Sequence, residues 1–99
     1  MNTDIAITIL QQLGGNRFIA MTGAKNLVNH GDALSFKFPK PRDRRVNYCK
    51  VTLSADDTYS IEFGYIRGLK YQPDEPIQGV YNDQLQPIFT DKTGLYTRL

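Results

Sequence analysis

The sequence predicts a single α+β domain over residues 1–99, with an antiparallel sheet of about four strands covered by an N-terminal and a C-terminal helix. Three observations support this prediction. An apolar stripe at helical spacing opens the chain, alternating side chains form a β-hairpin between Val46 and Arg67, and a second helical pattern comes near the end. Because helices and strands occupy separate stretches instead of alternating, the order fits the α+β class.

An apolar stripe at i, i+4 spacing predicts the N-terminal helix. Asn2-Thr3-Asp4 supplies side chains that cap helix starts. Gly14-Gly15 ends the helix, because glycine readily adopts the left-handed backbone found at helix C-termini. The residues of the stripe are Ile5, Ala6, Ile9, Leu10 and Leu13.

The next two segments are predicted to be a strand and a single helical turn. Phe18 to Met21 is continuously apolar, as in a strand covered on both faces, so we expect a strand from Arg17 to Thr22. Ala24 to Val28 is expected to form one helical turn before Asn29-His30-Gly31-Asp32, which is typical of a turn.

Three runs of alternating side chains predict the centre of the sheet, since successive residues of a strand point to opposite faces. Pro39 and Pro41 predict an extended loop after the first run, and Ser54 to Thr58 forms the hairpin turn between the other two. The inward-facing residues are Leu34, Phe36 and Phe38, then Cys49, Val51 and Leu53, and finally Tyr59, Ile61, Phe63 and Tyr65.

The last part of the chain is predicted to be a loop from Gly68 to Pro76 and a helix from Asp83 to about Thr93. Pro87 fits in the first turn of that helix, where backbone N–H groups have no intrahelical partner. Gly94 ends the helix, and residues 95–99 form a docked tail. The inward-facing residues of the helix are Leu85, Ile88 and Phe89.

The composition fits a globular chain that needs no covalent cross-link. Six Tyr and five Phe provide large side chains for a core. Cys49 is the single cysteine, which excludes an intrachain disulfide and fits a reducing cytoplasm. The chain shows neither the pattern of a signal peptide nor an apolar run of about 18 residues, so we expect no membrane contact and a cytoplasmic location.

The residue types needed for catalysis and metal binding are scarce. His30 is the only histidine and lies in a predicted turn, whereas Cys49 faces the predicted core as a buried thiol. One His and one Cys cannot make a structural zinc site. We therefore expect a protein that is not an enzyme, with no catalytic residue, no metal site and no cofactor.

Positive charge concentrates in one segment, although the net charge is only +2. Six cations lie between Lys37 and Lys50, opposed by Asp43 alone. Such cations can neutralise phosphates, and Tyr48 points away from Cys49, where a base could stack on it. A solvated loop, a protein contact and a nucleic-acid contact are all compatible with the pattern. The candidate binding residues are Lys40, Arg42, Arg44, Arg45, Tyr48, Lys50 and Arg67.

Two stretches of the chain resemble a family of small proteins of uncharacterised function from phages, prophages and other mobile elements. Residues 9–26, ILQQLGGNRFIAMTGAKN, are similar to the N-terminal signature of that family. GVYNDQL at 79–85 and IFTDKTGLYTRL at 88–99 are similar to its end, from which Pro87 departs. The resemblance implies a mobile-element origin and expression in a bacterial cytoplasm, and it implies no mechanism or functional residue.

Two functions follow as hypotheses. The first is a small non-enzymatic binding protein that contacts a host or phage protein, as an inhibitor of host defence of the anti-CRISPR type. The alternative is a nucleic-acid-binding accessory protein that uses the basic loop 40–45. Because a sheet edge can pair with a second copy, a monomer and a homodimer are both compatible with the sequence.

Overall fold

The structure, a computed structural model, describes residues 3–97 and the side chains of residues 5–97. It consists of an antiparallel sheet packed against helices. The predicted α+β class with an antiparallel sheet is confirmed. The elements are α1 Thr3–Leu13, α2 Gly15–Thr22, β1 Lys25–Asn29, β2 Ala33–Lys37, β3 Tyr48–Leu53, β4 Tyr59–Arg67, β5 Lys70–Pro73, β6 Ile77–Val80, a 3-10 turn Asn82–Gln84 and α3 Leu85–Thr93.

The sheet is built around β4. Strands β1, β2, β3 and β4 lie side by side in chain order, and every pairing is antiparallel. The other edge of β4 is shared by two short strands, with β5 along its C-terminal half and β6 along its N-terminal half. Residues 3–97 thus form six strands and three α-helices, where about four strands and two helices were predicted.

The hairpin predicted between Val46 and Arg67 is confirmed as β3 and β4. Val51 pairs with Ile61, and Cys49 pairs with Phe63, so the alternating apolar residues of the two strands share one face. The backbone N–H of Ser54 donates to the carbonyl oxygen of Thr58 at 2.8 Å and closes the turn. The alternation of apolar and polar side chains therefore determines both the position of the two strands and their register.

A cluster of phenylalanine rings fills the space between the sheet and the helices. Phe89 of α3 lies at its centre, with ring centroids 5.2–6.2 Å from those of four other Phe side chains. Three ring pairs of the cluster, two with Phe89 and one between Phe18 and Phe36, are edge-to-face, an arrangement that the ring quadrupoles favour. The four partners come from α2, β2, the residue after β2, and β4: Phe18, Phe36, Phe38 and Phe63.

The predicted N-terminal helix is confirmed as α1. Ala6, Ile9 and Leu13 are buried, while Ile5 and Leu10 are partly buried against the same core. Helix α1 packs on β2, so it covers one face of the sheet as expected. The predicted cap depends on Asn2 and on side chains of Thr3 and Asp4, which lie outside the described part.

The predictions for residues 17–28 were wrong in both segments. Arg17 to Thr22 belongs to helix α2, in which Phe18 and Thr22 are buried on one face. A run of four apolar residues does not distinguish a short helix from a buried strand, and the strand was the wrong choice. Lys25 to Val28 of the predicted helical turn belong instead to β1, an edge strand whose five residues are all exposed, whereas Ala24 lies before the strand and is buried.

The segment from Gly68 to Pro76, predicted to be a loop, contains strand β5. Its residues are exposed, so the strand lacks the apolar alternation by which a strand is recognised. Strand β6 also had no prediction. In β2, Leu34 and Phe36 face the core as expected, but Ser35 on the opposite face is buried too.

The predicted C-terminal helix is confirmed as α3, preceded by a 3-10 turn. Pro87 is the third residue of the helix, where its missing N–H costs no intrahelical bond. Gly94 ends the helix with φ +74°, a conformation that glycine adopts at low cost. Of the predicted tail, Leu95 is half-buried and Thr97 buried, and residues 98–99 lie outside the described part.

Membrane-crossing helices are not found between residues 3 and 97, because each helix there is too short or too polar to span a bilayer.

Candidate functional site at the basic end of the sheet

The sheet has two ends that differ in charge. At one end lie the β1–β2 and β3–β4 turns, which carry Asp32, Asp56 and Asp57; we call this the acidic end. At the other end lie the loop of residues 38–47 and the β4–β5 turn. We call this the basic end, and its cations are Lys40, Arg42, Arg44, Arg45, Arg67 and Lys70.

Two cations of the loop bind within the chain. The Lys40 ammonium donates to the carbonyl oxygens of Pro41 and Arg42, at 3.0 and 3.4 Å. The Arg44 guanidinium donates to the carbonyl oxygen of Asp91 in the last turn of α3. A cation at this position interacts favourably with the negative end of the helix dipole and satisfies a carbonyl that lacks an intrahelical partner. Arg44 therefore helps to hold the loop against α3.

A second group of cations surrounds an open depression of about 590 Å³, which we call the basic pocket. Arg45 comes from the loop, whereas Arg67 and Lys70 come from the β4–β5 turn. Among the described residues that line the pocket, these three are positively charged and none is acidic. The complete lining is Arg45, Tyr65, Arg67, Gly68, Leu69, Lys70 and Gln72.

The two segments that form the pocket are joined through Asn47. Its side-chain amide donates to the carbonyl oxygen of Ile66 and accepts from the N–H of Ile66, both at 2.8 Å. In an antiparallel pair of strands, the backbone of one residue donates to and accepts from the residue opposite it. The Asn47 side chain makes the same two bonds with Ile66, so the loop continues the pairing of β3 with β4. Arg45 is thereby held beside the end of β4, where Arg67 lies.

The β4–β5 turn brings the other two cations together. Gly68 has φ +62° at the first position of a two-residue turn, which is the conformation that type II′ hairpins require of glycine there. The turn pairs Arg67 directly with Lys70 and leaves Leu69 fully exposed at its tip. The turn therefore places an aliphatic side chain among cations.

The other face of the sheet holds Tyr48 and Lys50, away from the basic pocket. The Tyr48 ring packs edge-to-face on Tyr71, with centroids 5.5 Å apart. The Tyr71 ring lies over Gly64, where an added Cβ would be 2.7 Å from the Tyr71 hydroxyl oxygen. That hydroxyl donates to Glu62 at 2.5 Å, and burial, followed by this hydrogen bond, raises the pKa of Tyr71. Both tyrosines therefore have packing roles on this face.

The structure thus separates the seven predicted binding residues. Arg45 and Arg67 line the basic pocket, and Arg42 is exposed nearby on the same loop. Lys40 and Arg44 have partners within the chain, and Tyr48 and Lys50 lie on the opposite face. Sequence reasoning missed five lining residues, and the only signal for them was a glycine of the type that hairpin turns require. The five are Tyr65, Gly68, Leu69, Lys70 and Gln72.

The reactive residue types lie outside this site. Cys49 is buried as predicted, and burial, with a smaller contribution from the charge of Glu62, raises the pKa of its thiol. A thiol in that state is a poor nucleophile. The His30 Nε2 atom lies 2.8 Å from the Ser35 hydroxyl oxygen in the β1–β2 region. Among the side chains of residues 5–97, His, Cys, Asp and Glu do not gather in any group of three that could hold a metal ion.

Comparison with known proteins gives no relative on which to base a function: no protein-family model, no curated protein and no solved structure matches the chain.

Proposed function

We propose that the chain is a non-enzymatic binding protein of a phage or other mobile element, and that it acts by contact with another protein through the basic pocket. The composition of that pocket supports the proposal, because it combines Arg45 and Arg67 with Tyr65 and the fully exposed Leu69. Arg and Tyr are among the residues that most often dominate the binding energy of protein interfaces. An exposed leucine adds an apolar contact that a merely solvated basic loop does not need.

The arrangement of the cations favours a protein over a nucleic acid. Binding to a phosphate backbone gains from several free cations that follow the strand. Here Lys40 and Arg44 donate to carbonyl oxygens of the chain itself. Arg45, Arg67 and Lys70 gather around one depression instead of forming a track. A compact pocket of this kind suits a localised contact with one part of a partner.

The resemblance at both ends of the chain supports a mobile-element origin, and we place the protein in the cytoplasm of the bacterial host on that basis. Its proposed role is inhibition of a host defence protein, in the manner of an anti-CRISPR protein. This role requires only a binding surface and no catalytic group or cofactor. A monomer and a homodimer would both present the pocket.

A photo-crosslinking residue at position 69 tests the proposed contact. The matched control carries the same residue at position 55, because Leu69 and Ala55 are exposed in hairpin turns at opposite ends of the sheet. We expect a bacterial protein to cross-link through position 69 and not through position 55. Equal cross-linking at the two positions, or none at position 69, would contradict a protein contact at the basic pocket.

A second candidate function, nucleic-acid binding through the loop 40–45, is favoured by the exposure of Arg42 and Arg45 on that loop. Fluorescence anisotropy with single-stranded DNA, duplex DNA and RNA across a salt series tests it. Phosphate contacts predict an affinity that falls steeply with salt and that decreases in an Arg42→Ala, Arg45→Ala double variant. Binding that is absent at low salt, or insensitive to salt, would remove this candidate.

A further inference from the structure

The basic pocket is formed by backbone that is already in place. Asn47 bonds both backbone groups of Ile66, and Val46 between Asn47 and Arg45 is buried. On the other side, the backbone pair of Arg67 and Lys70 closes the β4–β5 turn. A site whose backbone is fixed before binding loses less conformational entropy when a ligand arrives. The pocket is therefore suited to binding as it stands.

The donors of the pocket match carboxylate groups. Arg45 and Arg67 carry planar guanidinium groups, which can bind a carboxylate through two parallel N–H···O bonds. Lys70 adds a third positive charge, and Gln72 adds an amide that can donate or accept. Because none of the described lining residues is acidic, an anionic ligand would meet no like charge within the pocket.

The apolar part of the pocket distinguishes a peptide from a nucleic acid. Leu69 is fully exposed at the tip of the β4–β5 turn, and Tyr65 is partly buried in the lining. Peptides supply aliphatic side chains beside carboxylates, whereas a nucleic-acid backbone supplies phosphates and sugars. The volume of about 590 Å³ lies within the range of about 300–1,000 Å³ that is usual for ligand pockets, so a few side chains fit.

We propose that the basic pocket binds an acidic peptide segment of the partner protein. Carboxylates of the segment bind Arg45, Arg67 and Lys70, and a neighbouring apolar side chain packs on Leu69. This inference rests on the proposed function, because it names the chemistry of the partner at the same pocket. The contribution of the positive charges to binding and the contribution of the apolar contact at Leu69 can be tested separately.

The test is fluorescence anisotropy at low salt with three labelled probes. The first is a short peptide in which Glu alternates with Leu, the second is the same peptide with Gln in place of Glu, and the third is single-stranded oligothymidylate of equal net charge. We expect the Glu peptide to bind, the Gln peptide not to bind, and the oligothymidylate to bind more weakly than the Glu peptide. Failure of the Glu peptide to bind, or tighter binding of the oligothymidylate, would overturn the proposal.

Variants then locate the binding. Arg45→Ala and Arg67→Ala should each weaken binding of the Glu peptide about tenfold or more, since each removes charge-assisted hydrogen bonds. Arg17→Ala is the matched control, because Arg17 is an exposed arginine of α2 that does not line the pocket. Circular dichroism confirms that each variant is folded. An equal loss in the Arg17→Ala control would overturn the assignment to the pocket.

Leu69→Ser tests the apolar contact. The substitution should weaken binding of the Glu peptide severalfold and leave the oligothymidylate unchanged, because only the peptide carries an aliphatic side chain. Leu69 is fully exposed, so the substitution removes no packing from the folded chain. Equal effects on the two probes would overturn the peptide assignment.

The outcomes separate this inference from the proposed function. A bacterial protein that cross-links through position 69, and whose binding is unaffected by Arg45→Ala and Arg67→Ala, would leave the proposed function standing and overturn the acidic segment. Binding of the Glu peptide at the pocket, without any bacterial protein cross-linked through position 69, would support the pocket's chemistry and remove the proposed function.

Discussion

The acidic and basic ends of the sheet carry opposite charge and use it differently. At the acidic end, the Asp56 carboxylate accepts hydrogen bonds from the backbone N–H and the hydroxyl of Thr58, at 3.2 and 2.7 Å. Its charge therefore stabilises the turn in which it lies. At the basic end, Arg44 holds the loop against α3, whereas Arg45 and Arg67 line an open pocket. At the basic end, Arg44 therefore stabilises the fold, whereas Arg45 and Arg67 are presented to solvent.

This difference shows that a charged segment is a binding surface only after its internal partners have been accounted for. Arg44 and Arg45 are adjacent in sequence and indistinguishable in a count of charges. The structure gives Arg44 a carbonyl partner in α3 and places Arg45 in the basic pocket. Long-range geometry, and not local charge density, separates the two roles.

The acidic and basic ends of the sheet are both supported by the phenylalanine cluster, so a substitution in that cluster should destabilise the two ends together. Phe89→Ala is expected to lower the free energy of unfolding by about 3–5 kcal/mol, because Phe89 is buried at the centre of the phenylalanine cluster. Chemical denaturation measures the loss, and hydrogen exchange should show that both ends lose protection together. Tyr96→Ala, which removes an exposed aromatic ring, is the control and should change stability by less than about 0.5 kcal/mol. Loss of protection at one end alone would contradict a shared core.

Asn47→Ala should loosen the basic end selectively. The substitution leaves the N–H and the carbonyl of Ile66 without their side-chain partner, at an expected cost of about 2 kcal/mol. Hydrogen exchange at Ile66 and Arg67 should accelerate, while the β3–β4 turn at the acidic end keeps its protection. Asn29→Ala is the matched control, since the Asn29 side chain accepts one hydrogen bond from the N–H of Gly31 in an exposed turn. A larger loss from Asn29→Ala would contradict the joining role of Asn47.

The sequence allowed correct prediction of the elements whose pattern repeats. Alternation over β3 and β4, and i, i+4 spacing in α1, each identified an element and the face it buries. Helix α2 was missed because its four apolar residues, Phe18 to Met21, are too few to show a period. Strand β5 was missed because an exposed strand has no buried face to mark it.

The candidate site was predictable only in part, for a physical reason. The concentration of cations identified Arg45, and Arg67 was included as an extension of the same surface. Arg45 and Arg67 lie near Lys70 because the Asn47 side chain bonds the end of β4 and because a two-residue turn follows that strand. Both are features of three-dimensional geometry, which the composition of the chain does not reveal. Which of the loop's cations bind α3 is likewise decided by packing between residues far apart in sequence.

Arg44→Ala tests whether a cation that contacts the chain contributes more to stability than an exposed cation does. The substitution removes the hydrogen bond to the Asp91 carbonyl and a cation at the C-terminal end of α3, at an expected cost of about 1 kcal/mol. Arg42→Ala removes the same charge from an exposed position two residues earlier and should leave stability nearly unchanged. Thermal unfolding of the two variants measures the difference. Equal stabilities would show that the Arg44 contact contributes nothing.

The smallest expected effect lies at the acidic end and appears as a dependence on pH. The hydrogen bonds from the hydroxyl and then from the backbone N–H of Thr58 lower the pKa of Asp56. Because the pKa is lower in the folded state than in the unfolded chain, where it is about 3.9, the carboxylate stabilises the fold above that value. This contribution is lost as the pH falls through the folded pKa.

Asp56→Asn keeps an oxygen that can accept from Thr58 but carries no charge, so its melting temperature should fall less steeply than that of the wild type as the pH falls below about 4. Thr58→Val removes the hydroxyl donor and should also reduce the acid-dependent loss, while the backbone N–H still donates to Asp56. Parallel melting curves of the wild type and Asp56→Asn across this pH range would show that the Asp56 charge does not stabilise the turn. The acidic end would then be a solvated surface. The difference between charges that stabilise the fold and charges presented to solvent would then be found only at the basic end, between Arg44 and the residues of the basic pocket.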